Sequence, residues 1–316
     1  MECAHEMARK TQVAIIGLAV ALLVLAVSGL FLERREEARE GLLVVLLTPG
    51  FEDEVRSLLA EGDRLYVIGS GGDPHEIQLS PSEMEILRKA NLIISMGHTS
   101  IDKRVEELQR RGEVKAVILN LVEIPGLIIP ELPEDGHAHD NGHGVKNYHE
   151  PFYDPRNTII ILGRIVDLLV ELRPDMRDVY IGKYRELKTK LDDLVRVYEG
   201  ALKGYKAVIS TAEIQPAITW LGVEVVAYIV VDQHESPSPQ TLEKAVRKLD
   251  EEGVIAFIAV VCNGGCELAS QVDRMLLEEA KARGVHVVEV PLGYTGTSVI
   301  SKLEYLIHKI PHARGS

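Results

Sequence analysis

From residue 41 onward, short apolar runs alternate with amphipathic stretches. The runs GLLVVLLT (41–48), RLYVIG (64–69), NLIISMG (91–97) and KAVILNL (115–121) are short and nearly uniformly apolar, the pattern of strands buried on both faces. Between them FEDEVRSLLAEG, SPSEMEILRKA and SIDKRVEELQRRG carry apolar residues at helical spacing and often end on Gly. The alternation stops over residues 122–156 and gives way to helical sequence from Asn157 to Gly204. Pro174 divides that stretch into NTIIILGRIVDLLVELR and a second helix of about 30 residues, long beside the ~10–14 of a globular helix, which reads as a rigid strut. The alternation then restarts, with strands at 205–211, 223–230, 254–262 and 285–291. The helices after them are EIQPAITWLG, SPQTLEKAVRKLDEEG, CELASQVDRMLLEEAKARG and TSVISKLEYLIHKI. The predicted fold is α/β, with two lobes that each hold a four-stranded, mainly parallel sheet flanked by helices. The lobes span 42–173 and 205–316 and are joined by one long linking helix over 174–204. Ligands of open parallel sheets bind beyond the carboxyl ends of the strands, so two facing lobes make a cleft.

The N-terminus follows another rule. Thr11 to Leu32 carry no charge, and at 1.5 Å per residue such a helix crosses a hydrocarbon core of ~30 Å. Arg9 and Lys10 precede it and ERREEAREG follows. The apolar run is longer than a signal-peptide core and continues past the weak cleavage site Ala26-Val27-Ser28, which favours a transmembrane anchor over a cleaved signal. Residues 1–10 are then cytoplasmic, 33–41 a linker, and the globular part lies on the outer face of the cell membrane.

Composition narrows the partners. With 48 Asp plus Glu against 35 Lys plus Arg, the net charge of −13 repels nucleic-acid phosphates and attracts cations. Cys262 and Cys266 form an even pair in an oxidising compartment, where a short-loop disulfide or two buried thiols are both compatible with the C-x-x-x-C spacing; a zinc knuckle needs a second pair.

The histidines supply the candidate chemistry. His75, in GGDPHEIQLSPSEMEIL, follows the second strand on a loop stiffened by Pro74. Ser80 as N-cap, Pro81 at the first helical position and Glu83 closing a capping box start the next helix. Four of the chain's 11 histidines fall in EDGHAHDNGHGVKNYHEPFYDP, within the His-rich loop 134–149. His137, His139 and His143, interleaved with Gly, Asp and Asn, read as a solvated, low-complexity tract that captures metal weakly. His149, followed by aromatics and two prolines, reads as part of an ordered turn into the helix at Asn157. His98, after the third strand, is a further candidate ligand, although its Ser/Thr neighbours also fit a helix cap.

Together, and in this order, these stretches resemble the solute-binding proteins of zinc- and manganese-type ABC importers. DPHEIQLSPSEMEILRKANLIISMG resembles that family's D-P-H-x5-P-S-[DE] stretch and the strand after it. NYHEPFYDPRNTIIILGRIVDLL resembles its H-x-W-x-D-P-x-N turn and helix, and ESPSPQTLEKAVRKLDEEGVIAFIAV the E-P-S-P helix and strand of the second lobe. The similarity covers roughly residues 42 to 310. It implies a non-enzymatic monomer that captures one divalent cation, zinc first and manganese second, between lobes of limited hinge motion and passes it to an ABC permease and its ATPase. Carried over residue by residue, His75 matches the first metal ligand and His149 the second. Glu213, in STAEIQP, is the nearest match to the third. The fourth is usually an Asp in the loop before the last helix; here that loop, VPLGYTGTSVISKL, holds no acid, and water or Tyr294 is left to complete the set. Two other readings remain open at this point. An open position on zinc is also how metallohydrolases hold a reactive water, and a diverged member of the family can take another ligand.

Overall fold

A computed structural model describes residues 41–68, 77–133, 145–262 and 265–311. Leu42–Ala60 and Arg64–Ser316 form one compact unit that contains both sheets. The proposed anchor, residues 11–32, lies outside the described residues. Among those described, no helix is long and apolar enough to cross a membrane.

The first sheet is built from β1 (Leu43–Leu46), β2 (Arg64–Val67), β3 (Leu92–Ser95) and β4 (Val117–Asn120), in the order β2-β1-β3-β4 and parallel throughout. Three helices, α1 (Glu52–Leu58), α2 (Pro81–Lys89) and α3 (Ser100–Arg110), alternate with these strands. Helix α2 begins as its sequence dictates. The Ser80 side chain accepts from the Glu83 backbone N–H, the Glu83 carboxylate accepts from the Ser80 backbone N–H at 2.8 Å, and Pro81 occupies the first turn.

Two helices follow, α4 (Pro155–Leu172) and α5 (Arg177–Tyr198), separated by a short turn at Pro174–Met176. The linking helix is therefore 22 residues, shorter than the stretch to Gly204 predicts. Gly200 takes φ +76°, in the left-handed region that only glycine enters without strain. Its N–H then bonds the Trp220 carbonyl, and that of Leu202 bonds Leu221, so the chain after Tyr198 is tied to a turn of the second lobe instead of continuing the helix.

The second sheet departs from the predicted four strands. Strands β5 (Lys206–Thr211), β6 (Glu224–Val230), β7 (Val254–Cys262) and β9 (His286–Pro291) are parallel, and a fifth, β8 (Cys266–Leu268), returns antiparallel along the end of β7. At Val260, β7 pairs with β9 and with β8, so β8 takes the edge that β5 leaves after Phe257. A Cys262–Cys266 disulfide with Cα atoms 4.1 Å apart joins the two strands of this hairpin. The helix predicted from Cys266 starts only after Ser270, whose hydroxyl accepts from the Asp273 N–H; it is α8 (Gln271–Ala282). Helices α6 (Gln215–Thr219), α7 (Pro239–Lys248) and α9 (Val299–Lys309) complete the lobe, and the helix predicted from Glu213 begins as a tighter turn at Ala212–Ile214.

One apolar cluster runs through both lobes, from Val44 and Leu92 through Ile161 and Leu191 to Ile209, Phe257 and Val288. Each sheet packs its other face on a smaller cluster of its own.

Candidate metal centre

The segment that carries His149 is fixed at both ends. The N–H of Asn147 bonds the Pro130 carbonyl at 2.8 Å, and the N–H of Leu132 bonds Val145 at 2.9 Å. After His149, Glu150 adopts φ 45°, ψ 55°, a left-handed conformation that costs a non-glycine residue ~1–2 kcal/mol and reverses the chain into the turn Pro151–Tyr153. Asp154 then caps α4 by accepting from the Arg156 N–H at 2.9 Å. Buried Asn157 clamps the turn from below, donating to Ile128 O and Pro151 O and accepting from the Ile128 N–H.

His98 is held by a carboxylate one turn further on. Buried Asp102 caps α3, and its Oδ2 accepts the backbone N–H groups of Gly97, His98 and Thr99 at 2.8, 3.0 and 2.9 Å. Its Oδ1 accepts the Ser95 hydroxyl at 2.7 Å. The loop leaving β3 thus wraps around one buried acid, and His98 sits on that loop. The His98 and His149 rings meet edge to face with centroids 5.5 Å apart. A tetrahedral zinc with Zn–N of ~2.0–2.1 Å holds its nitrogens ~3.4 Å from one another, within reach of two rings so placed.

Glu213 faces them from the second lobe, 3% exposed at the end of β5. Its Oε2 accepts the Gln233 N–H at 3.3 Å and lies 3.2 Å from the Thr211 hydroxyl. Tyr294 follows β9. His98, His149, Glu150, Glu213 and Tyr294 line one cavity of about 280 Å³ including its open mouth, with Thr48 and Met96 at the ends of β1 and β3. Every one of these strand termini is a carboxyl end, where parallel sheets bind ligands. The structure brings His149, Glu213, Tyr294 and His98 together. His75, His137, His139 and His143 lie outside the described residues, and among those described no three His, Cys, Asp or Glu side chains stand in metal-holding geometry.

Sequence reasoning passed over Glu150, the acid that reaches the acid-free loop. Its carboxylate lies against Gly293, where any Cβ would collide with it. Behind that loop Lys302, almost fully buried, donates from Nζ to the carbonyls of Gly50 at 2.7 Å, Thr295 at 3.1 Å and Gly293. Burial pulls this amine down to about 8 against the upward pull of Glu150, Glu54 and Asp53. Burial likewise pushes the Tyr153 phenol well above its ordinary value, with the Glu150 charge adding to it, so the hydroxyl keeps its proton and donates to Pro291 O at 2.6 Å. A signal for Asn147 was present in the sequence: Asn two residues before His149 is the spacing of an Asx turn. Glu150 and Lys302 gave no local signal, because their partners lie far along the chain.

The fold is bilobal, and His98, His149 and Glu213 line one cavity beyond the carboxyl ends of its strands. The chain belongs to the family of periplasmic zinc-uptake complex components (component A), whose profile matches residues 60–297, about three quarters of its length. The family consists of uptake components, not enzymes. A search of curated proteins by sequence gave no significant match. Among solved structures, the Zn(II)-bound form of an AdcAII variant from Streptococcus pneumoniae superposes with TM-score 0.67 at 14% identity, covering 86% of this chain and 99% of the other. The periplasmic zinc-binding protein TroA from Treponema pallidum gives TM-score 0.63 at 16% identity over 85% of this chain and 99% of its own. A manganese-bound periplasmic metal-binding protein from Candidatus Liberibacter asiaticus gives 0.62 at 14% identity, covering 84% and 97%. At such identities the likeness is one of fold.

Proposed function

We propose that this chain captures a divalent transition metal, zinc first and manganese second, in the cleft between its lobes and delivers it to an ABC permease driven by its ATPase. The observation that carries the reading is the meeting of the His98 and His149 rings, 5.5 Å apart, with Glu213 lining the same cavity from the other lobe. In this reading His149 and Glu213 bind the ion together with His75 from the loop after β2. His98 supplies the fourth ligand that the acid-free loop lacks, and Tyr294 stands beside them. Three imidazoles and one carboxylate make a borderline-soft set that suits zinc. His137, His139 and His143 form an accessory loop that captures metal weakly. The anchor at 11–32 tethers a monomer at the outer face of the cell membrane, with residues 42–173 and 205–316 as the lobes and 174–204 as the link.

Titration calorimetry on the metal-stripped protein tests this directly. We expect one zinc per chain, with His75→Ala, His149→Ala and Glu213→Ala each weakening it severely and His98→Ala weakening it less. Affinity no tighter than about micromolar, ~8 kcal/mol, would reject metal capture and leave the family fold serving another ligand.

A further inference from the structure

We propose that Asn147 is the positioning residue of this site: it fixes which nitrogen His149 offers to the metal and ties that ring to the turn bearing Glu213. The assignment rests on the metal-capture reading above.

Asn147 is 2% exposed, and its amide is fully engaged. Its Nδ2 donates across the lobe boundary to Ala212 O at 2.7 Å and Gln215 Oε1 at 2.8 Å. Its Oδ1 accepts the His149 backbone N–H at 3.1 Å and lies 2.9 Å from His149 Nδ1. The amide cannot be turned over, since that would set its NH2 against the His149 N–H and its oxygen against the Ala212 carbonyl. Gln215 is fixed in the same way, because its Nε2 donates to Glu131 O at 2.8 Å, which leaves Oε1 to accept from Asn147. With both amides oriented, the proton on His149 is determined too. An amide oxygen only accepts, so Nδ1 carries the hydrogen and the neutral ring keeps its lone pair on Nε2. A hydrogen bond of this kind, from a residue that does not itself touch the metal, selects the tautomer of a metal-binding histidine and sets the angle of its ring. The same side chain grips Ala212 and Gln215, the residues on either side of the Glu213 turn, so one amide sets the spacing between a ligand of the first lobe and a ligand of the second.

The test is an imidazole nitrogen NMR spectrum of the full chain without metal, the His149 signal assigned by difference against His149→Gln, together with zinc calorimetry. Wild type should show His149 as the Nδ1–H form. Asn147→Ala should give mixed tautomers and bind zinc 10- to 100-fold more weakly at unchanged stoichiometry. Gln215→Ala, which leaves the histidine contact in place, should keep the tautomer and lose less affinity. Should Asn147→Ala fail to fold, Asn147→Ser carries the same comparison. An Nε2–H form in the wild type overturns the proposal. So does an Asn147 variant with unchanged tautomer and affinity while His149→Ala abolishes binding. A wild type that shows the Nδ1–H form yet binds neither zinc nor manganese overturns the functional reading instead.

Discussion

Asp102 shows how much of the site one residue can hold. Its carboxylate gathers three successive backbone N–H groups, the Thr99 hydroxyl and the Ser95 hydroxyl in a buried position. Truncating it leaves several buried donors without an acceptor at ~1–3 kcal/mol each, partly recovered by relaxation. Asp102→Ala should therefore destabilise the protein by about 3–5 kcal/mol, read as a lower urea midpoint at constant slope, and should weaken zinc binding through His98. Asp102→Asn keeps one acceptor oxygen and should lose about half as much. A helix cap beside His98 was legible in its Ser/Thr neighbours, as caps were at Ser80 and Glu83, because a cap joins residues three apart; Asp102 itself was not picked out. The gathering of the His98 loop onto the same carboxylate was not. Asn147 lies 65 residues from Ala212, and no local pattern specifies a pairing at that distance.

At the scale of elements, the first lobe's α1 caps the second lobe's α9. Glu54 accepts from the Ser298 hydroxyl at 2.8 Å and from the N–H groups of Val299 and Ile300, an acid set against the positive end of a helix. Asp53 pairs with Thr297 through both backbone and side chain. Lys302, in the first turns of α9, reaches back to the Gly50 and Gly293 carbonyls. Its lowered value gives a pH signature. Below pH 8 the amine is charged in both the folded and the unfolded chain, and its burial costs about 3 kcal/mol. Between about 8 and the ordinary 10.5 the folded form sheds the proton while the unfolded chain keeps it, so the penalty is relieved as pH rises. The stability of wild type relative to Lys302→Met should thus increase by about 3 kcal/mol from pH 7.5 to 10.5, measured by denaturant melts across the range; a flat difference would refute the linkage. The β7–β8 hairpin is a smaller matter. Its disulfide closes a loop of separation 4, so reduction should cost about 2 kcal/mol at most and leave zinc binding intact. The three-residue β8 was illegible because nothing in its alternation separates it from the first turn of the helix that follows.

Taken as a whole, the molecule has lobes that are separate in topology and joined in energetics. The alternation of apolar runs made two sheets legible, since each parallel strand carries its own signal. It said nothing about whether they share a core, because that depends on which faces of α4 and α5 meet which sheet. They do share one: the large apolar cluster takes Val44 and Ile94 from the first sheet, Leu169 and Tyr180 from the connecting helices, and Phe257 and Val290 from the second. The α1–α9 contacts and the Asn147 bridge cross the same boundary. Neither lobe can then unfold without stripping apolar surface and hydrogen bonds from the other, so unfolding should be one cooperative transition. The chain's single tryptophan, Trp220, is buried on the second lobe's side of the shared cluster and reports on its own surroundings, whereas far-ultraviolet circular dichroism weighs both lobes. We expect the two probes to give coincident urea midpoints, the criterion of a two-state transition. Zinc at a hundred times its dissociation constant should move both together by ~2.7 kcal/mol, because an ion held from two lobes stabilises only the state in which they face one another. Separate midpoints, or a zinc shift confined to the tryptophan signal, would mean that the lobes stand independently and that the cleft is not a single binding site.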